Sequence, residues 1–319
     1  MMQVSDPRIV AFGGGHGLSA TLQALRRVTR NITAVVTVAD DGGSSGKLRA
    51  EFDILPPGDL RMALAALCSD DDLGRKWASV LQARFAGDGP LGGHAIGNLL
   101  IAGMWQQLGD EVAALDMVGD LLGVCGRVLP MSSVPLEIEA DVLGLDPFAP
   151  DEINTLTGQA TVAKAKAQVQ AVRLVPDKPP AHPAALAAIG EADAVVLGPG
   201  SWFTSVLPHL LVPELRAAVA RSSALRVLIF NLVPADETAG FSAARHIELL
   251  AEHAPEVRFD VVIADSGFAQ QDSCMADYVR AIGGELLVAD VASSSKRAVH
   301  DPEKLAAVLN DVVRRKGVC

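Results

Sequence analysis

Two carboxylates (Asp40, Asp41), two hydroxyls (Ser44, Ser45) and two cations (Lys47, Arg49) crowd into one short stretch, TVADDGGSSGKLR, from Thr37 to Arg49. Loop amides and hydroxyls of this kind hold an anion, with Lys47 or Arg49 as counter-charge. Asp40 and Asp41 beside a phosphate suit magnesium, a hard cation that prefers oxygen ligands. A dinucleotide site would instead set Asp40 or Asp41 on a ribose hydroxyl. That leaves Ser44, Ser45, Lys47 and Arg49 without a task. A solvated turn explains the Asp and Gly residues but not the paired hydroxyls.

Other segments carry related chemistry. GGGHGLS, Gly13 to Ser19, contains Gly15-x-Gly17-x-x-Ala20, a variant of the dinucleotide fingerprint. Its glycines bring backbone N–H groups against a phosphate at a helix start, so Gly13, Gly14, Gly15, His16 and Gly17 are candidate ligand contacts. VVLGPGSWFTS, Val195 to Ser205, is a second cradle of the same character, with Gly198, Gly200, Ser201 and Thr204 as contacts. Two such cradles would hold two phosphates, or a diphosphate and a sugar. In ILPPGDLR, Asp59 stands at a helix N-cap position and Arg61 follows it; LGGHAIGNLL adds His94 and Asn98. Asn231, the pair Asp236/Glu237, Asp265 and Asp290 follow later apolar runs. The sequence holds no P-loop, no G-x-S-x-G elbow and no H-E-x-x-H pair.

The elements that must position these residues alternate. RIVAF (from Arg8), ITAVVTV (from Ile32), AVVL (from Ala194), RVLIF (from Arg226), FDVVI (from Phe259) and ELLVA (from Glu285) are short apolar runs. Helical spacing lies between them, as in Leu18, Leu22 and Leu25 or VPELRAAVA from Val212. Strands apolar throughout and separated by helices predict an α/β fold: a mostly parallel sheet with helices on both faces. Residues 1–57 and 176–319 form this core, about 58–126 a helical region, and about 127–175 a β-rich insertion. Within the insertion, PLEIEADV (Pro135 to Val142) alternates as a strand does; VAKAKAQVQAV (Val162 to Val172) fits helix or strand, its Ala/Lys alternation favouring strand. In such a sheet, ligands bind beyond the carboxyl ends of the strands, where the candidate segments lie apart from ILPPGDLR and LGGHAIGNLL, which open helices of the helical region.

Composition bounds the class. With 319 residues, 50% hydrophobic and 20% charged, the chain can build a large core. A net charge of −11 argues against nucleic acid as a partner, because no basic surplus exists to neutralise a run of phosphates. The four Cys are widely spaced, which predicts free thiols in a reducing compartment. No window approaches the ~18 apolar residues of a membrane span, and no basic-then-apolar start is present, so a cytoplasmic protein is expected.

GGGHGLS, TVADDGGSSGKLR, LPPGDLR, GHAIGNLL, VLGPGSWFTSVLPHLLVP and HDPEKLA, in that order, resemble the motifs of the YvcK-type gluconeogenesis factors, in the superfamily of the 2-phospho-L-lactate transferase CofD. The resemblance spans nearly the whole chain and implies a Rossmann-like fold. It further implies a cytoplasmic protein that binds a UDP-N-acetylglucosamine-like nucleotide sugar and supports cell shape and wall synthesis on gluconeogenic carbon. Cell-wall synthesis proteins would be partners, and a homodimer is expected. The CofD branch implies the alternative, a magnesium-dependent phospholactyl or phosphoryl transferase with no tightly bound organic cofactor. By similarity, Gly13 to Gly17, Asp40, Asp41, Ser44, Ser45, Asp59, Asn98, Gly198, Gly200, Ser201 and Asn231 line the site. His16 stands where the family more often has Thr, and Val299 where an Arg often precedes HDPEKLA.

Overall fold

The computed structural model describes residues 6–319 except 147, 166, 234–235, 239, 296–297, 316 and 319, and omits the side chain of 236. Ten strands and fourteen helices follow one another along the described chain. The first half runs β1 (Ile9–Gly13), α1 (Gly15–Leu25), β2 (Ile32–Val36), α2 (Gly43–Phe52), α3 (Pro57–Leu67), α4 (Asp72–Gln82), α5 (Ile96–Leu108), α6 (Glu111–Leu122) and β3 (Arg127–Pro130). A smaller unit follows: β4 (Glu137–Leu143), β5 (Asn154–Thr157), α7 (Gln159–Val162) and β6 (Gln168–Val175). The chain then continues as α8 (Pro183–Glu191), β7 (Ala194–Leu197), a π-turn (Trp202–Val206), α9 (Leu207–Leu211), α10 (Pro213–Arg221) and β8 (Leu225–Ile229). It ends in α11 (Ala243–His253), β9 (Val261–Asp265), α12 (Ser266–Ala269), α13 (Met275–Ala281), β10 (Glu285–Ala289) and α14 (Pro302–Arg315).

Seven strands form one parallel sheet in the order β10-β9-β8-β7-β1-β2-β3. Strands β1, β7 and β9 are buried along their whole length, which is why they read as continuous apolar runs. From β1 the chain first adds strands on one side (β2, β3), then returns to add β7 through β10 on the other. Right-handed crossovers in opposite directions place their helices on opposite faces. Accordingly α1 packs with α3 and α14, while α10 packs with α8 and α9. Phe12, Leu18, Leu22 and Leu25 lock α1 onto β1 and are at most 2% exposed; each such burial contributes ~1.5–3 kcal/mol.

The reversal of strand order falls between β1 and β7, so the loops after these two strands flank the switch point, where α/β sheets open a crevice.

The β-rich insertion is narrower than its sequence boundaries. Residues 127–130 pair in parallel with β2 and so are the edge strand of the main sheet. The antiparallel sheet β5-β4-β6 begins at Glu137. Its alternation is real: β4 buries every second side chain, and Arg173 bridges Glu139 and Asp141 on the outer face. The Val162–Val172 segment divides. Val162 ends α7 and the strand starts only at Gln168, because an acceptor from another element caps α7, as the site shows.

Candidate functional site

The loop after β1 turns through Gly15 at φ +58°, a left-handed conformation that favours glycine. Gly14 cannot carry a side chain, since a Cβ there would stand 2.2 Å from Thr37 Oγ1 and 2.4 Å from Asp59 Oδ2. Nor can Gly17, whose Cβ would meet the Pro199 carbonyl oxygen at 2.2 Å and Gly200 Cα at 2.7 Å. The two glycine loops are therefore in direct contact. Thr21 Oγ1 reinforces the junction by donating to the Gly198 carbonyl at 2.9 Å. His16, Gly17, Gly200, Ser201, Asn231 and His300 contribute to the walls of a cavity of about 290 Å³. Ser19 is turned back, its hydroxyl donating to the Gly15 carbonyl.

The second cradle is braced from behind. The Asn231 side-chain amide bonds twice to Gly200, accepting from its N–H at 2.9 Å and donating to its carbonyl at 2.8 Å. Thr204 Oγ1 donates to Ser201 Oγ at 2.6 Å. Glu237 Oε1 accepts from the Phe203 N–H at 3.0 Å, while Oε2 is enclosed without a partner. Burial pushes the Glu237 carboxyl above the usual carboxylate range. The helix-start amides beyond Ser201 thus already face an internal carboxyl group, to which the Ser201 side chain is also bonded, and Gly200 and Ser201 line the cavity.

The DDGGSSGK stretch divides its labour. Asp40 Oδ1 accepts from the Gly42 N–H at 2.9 Å, fixing the turn into α2. Asp40 Oδ2 and Ser45 Oγ press on Gly58, where a Cβ would lie 2.3 Å and 2.4 Å from them. Asp41 points elsewhere: Oδ1 accepts from the Ala160 N–H at 2.9 Å and caps α7. Gly158 adopts φ +99°, and a Cβ there would lie 2.1 Å from Asp41 Oδ2. Arg49 donates to the Leu136 carbonyl and lies 3.7 Å from Glu137, anchoring β4. Lys47 is exposed.

Ser44, Ser45 and Asn98 join a buried polar network. Asn98 Nδ2 donates to Ser44 Oγ at 3.1 Å and to Ser45 Oγ at 3.4 Å, and its Oδ1 accepts from Arg61 Nε at 2.8 Å. Ser44 Oγ also lies 3.1 Å from His94 Nδ1. His94 and Asn98 therefore hold the start of α2 against the start of α5.

Asp59 is not the N-cap of α3; Pro56 occupies that position and Asp59 lies inside the first turn. Its carboxyl reaches the other loops, bonded to the Gly15 N–H and lying 3.2 Å from Thr37 Oγ1. Thr37 Oγ1 is also 3.2 Å from the Gly13 carbonyl. Thr37 has one proton for two acceptors. It is shared between Asp59 Oδ2 and the Gly13 carbonyl, and the bond to Asp59 favours the ionised carboxylate. Burial first, and the nearby Asp40 charge second, push the Asp59 carboxyl up to about 7. Asp40 and Asp59, from separate elements, form the acidic pair of the site.

Among the described residues no group of three or more His, Cys, Asp or Glu side chains could hold a metal ion. Magnesium bound through one or two carboxylates plus water and ligand phosphate needs no such cage; Asp40 is the carboxylate that would hold it, while Asp59, buried and raised to about 7, is bonded to the Gly15 N–H. Asp41 suits the ion less well, because its carboxylate is committed to α7. Later acids serve the scaffold: Asp265 caps α12 and accepts from the Val291 N–H, and Asp290 pairs with Lys304. Cys68, Cys125 and Cys274 are free thiols; Cys319 and residues 234–235 lie outside the described residues. Gly158 joined the site only in three dimensions, having no local motif; Thr37 and His300 begin motifs read in the sequence, and Glu237 follows an apolar run, but their contacts are set by packing. A cavity of about 500 Å³ lies at the opposite ends of the strands, beside Arg8, Arg30 and Arg127, and contains no candidate residue.

Known proteins share this architecture. The family model described as 2-phospho-L-lactate transferase CofD matches residues 9–316. The chain is 54% identical over 311 residues to a Mycobacterium tuberculosis (strain ATCC 25618 / H37Rv) protein named "Putative gluconeogenesis factor", covering 96% of this chain and 90% of that one. It is 33% identical over 323 residues to the "Gluconeogenesis factor" of Bacillus subtilis (strain 168), covering 97% and 98%. The crystal structure of a UPF0052 family member from Bacillus halodurans matches with a TM-score of 0.83 at 32% identity, covering 96% of this chain and 99% of that one. The chain thus belongs to the CofD family, on the branch of the YvcK-type gluconeogenesis factors.

Proposed function

We propose that the chain binds a nucleotide-diphosphate sugar of the UDP-N-acetylglucosamine type in the crevice between β1 and β7, and through it supports cell shape and wall synthesis on gluconeogenic carbon. The supporting observation is the direct contact of Gly17 with Pro199 and Gly200 at the switch point. It brings the first turn of α1 and the second glycine loop to one cavity, where linked phosphates meet helix-start amides from one side and Ser201 from the other. Leu232, Val233 and Val299 give the same cavity an apolar end suited to a base or sugar face. Calorimetry with UDP-N-acetylglucosamine, with and without magnesium, tests the reading. One saturable site is expected, and absence of saturable heat at millimolar ligand removes it. In the cell, a deletion strain should lose normal shape on gluconeogenic carbon and recover it with the intact gene.

A second reading is favoured by the Asp40/Asp59 pair: a magnesium-dependent phospholactyl or phosphoryl transferase, as the family description allows. Magnesium, when bound, would neutralise charge on the transferring group. Asp40 would hold the ion, and Asp59 would manage a proton beside it. Product formation from a nucleotide-diphosphate-linked donor, lost in Asp40→Asn with the fold intact, is the expected signature; an unchanged rate in that variant sinks it.

A further inference from the structure

Arg61 is a buried cation with no direct ion-pair partner among the described residues. It is 5% exposed, and among the described residues its one side-chain hydrogen bond is Nε to Asn98 Oδ1 at 2.8 Å. No carboxylate of the described residues comes within ion-pair distance of it, Asp59 and Asp40 included. Among the described residues, the enclosed side-chain atoms without a partner are Arg26 Nε, Trp202 Nε1, Glu237 Oε2 and His300 Nε2. The terminal nitrogens of Arg61 have no hydrogen-bond partner among the described residues and are not among these enclosed atoms. Burial disfavours the charged guanidinium and Arg84 adds a second positive charge nearby, while the Asp59 and Asp40 charges favour it only from beyond ion-pair distance.

The side chain is nevertheless held in place. Gly97 makes room for its stem, since a Cβ there would stand 2.8 Å from Arg61 Cγ. Asn98 fixes Nε and is itself fixed by Ser44 and Ser45. A guanidinium anchored at Nε, with two terminal NH₂ groups free in a fixed plane, is the geometry that receives a phosphate or carboxylate bidentately. The start of α2, which has no side-chain cap, adds the positive end of a helix through Gly43 and Ser44.

We propose that Arg61 is the receptor for a small oxyanion, a phosphate or carboxylate group, in a subsite on the β2 side of the Asp40/Asp59 pair and separate from the glycine crevice. The site then takes two anionic groups, one on each side of the acidic pair, as a binder sensing a second metabolite or a two-substrate enzyme requires. The proposal stands on Arg61 and its supports, independently of what fills the crevice.

Calorimetric titration of the full chain with inorganic phosphate and with acetate, against sodium chloride at equal ionic strength, tests it. Wild type is expected to bind one of the two anions saturably, and the one preferred identifies phosphate or carboxylate as the group. Arg61→Gln should weaken that binding by at least about tenfold, while UDP-N-acetylglucosamine binds with affinity within about threefold of wild type and without competition from the anion. Absence of saturable anion binding, an unchanged affinity in Arg61→Gln, or competition with the nucleotide sugar overturns the proposal. If Arg61→Gln does not fold, a wild-type crystal soaked in phosphate decides: an oxyanion against the Arg61 terminal nitrogens upholds it, and its absence there ends it. Loss of nucleotide-sugar binding with anion binding retained would remove the proposed function and leave this subsite standing.

Discussion

Thr37 Oγ1 lies 3.2 Å from Asp59 Oδ2 and 3.2 Å from the Gly13 carbonyl, so one hydroxyl ties β1, the end of β2 and the first turn of α3. At Asp59, burial and the nearby Asp40 charge outweigh the bonds from Thr37 and the Gly15 N–H. Its carboxyl titrates at about 7 in the fold against 3.8 as a free group. The folded state thus binds the proton more tightly, and the stability this group contributes is full below about pH 4 and lost as pH rises through about 7. Asp59→Asn should remove that slope and be more stable than wild type at pH 8, by on the order of 1–3 kcal/mol. Urea melts of both proteins at acid and alkaline pH check this; parallel pH profiles would refute it.

Gly17 and Gly103 make an internal comparison. Both lie in helices, but a Cβ at Gly103 meets nothing within 4 Å, whereas at Gly17 it meets Pro199 and Gly200 backbone. Gly103→Ala should stabilise by ~0.5–1 kcal/mol, the ordinary gain of Ala over Gly in a helix. Gly17→Ala should destabilise by about 2 kcal/mol or more and weaken nucleotide-sugar binding. A thermal melt of each separates them, and a gain at Gly17 would contradict the close contact of the loops.

Asn98, 1% exposed, satisfies Arg61, Ser44 and Ser45 together. Asn98→Ala leaves these buried polar groups short of partners and should cost about 2–4 kcal/mol. A loss below about 0.5 kcal/mol in chemical denaturation would mean that water replaces the side chain freely.

Asp41→Ala removes the cap on α7. The expected cost is ~1 kcal/mol, concentrated locally: amides of residues 158–163 should exchange faster, while those of β1 and β7 keep their protection. Equal exchange in both proteins would show that Gln159, which donates to the Thr204 carbonyl at 3.1 Å, holds the segment by itself.

The motifs legible in the sequence were those made by neighbours along the chain. A glycine run ending an apolar strand sets its own turn, so the loops at 13–17 and 198–201 stand at strand ends as read. The alternation of Pro135 to Val142 likewise appears as a one-sided strand. Reading failed where the deciding atom belonged to a distant segment. Residues 127–130 have a strand's composition, but only pairing with β2 assigns them to the main sheet. Asp40 and Asp41 are indistinguishable as letters, yet one faces the site and the other caps a helix more than a hundred residues away.

By itself the sequence determined the alternation of buried strands and helices, and hence that glycine loops and polar residues gather beyond the carboxyl ends of a parallel sheet, because periodicity and turn chemistry act locally. Only the tertiary structure decided that β1 lies beside β7, that Asp59 joins Asp40, and that Arg61 is buried with no ion-pair partner among the described residues. Those outcomes depend on strand order and on the direction of side chains between packed elements, and no local stretch of chain encodes the distance between residues that packing brings together.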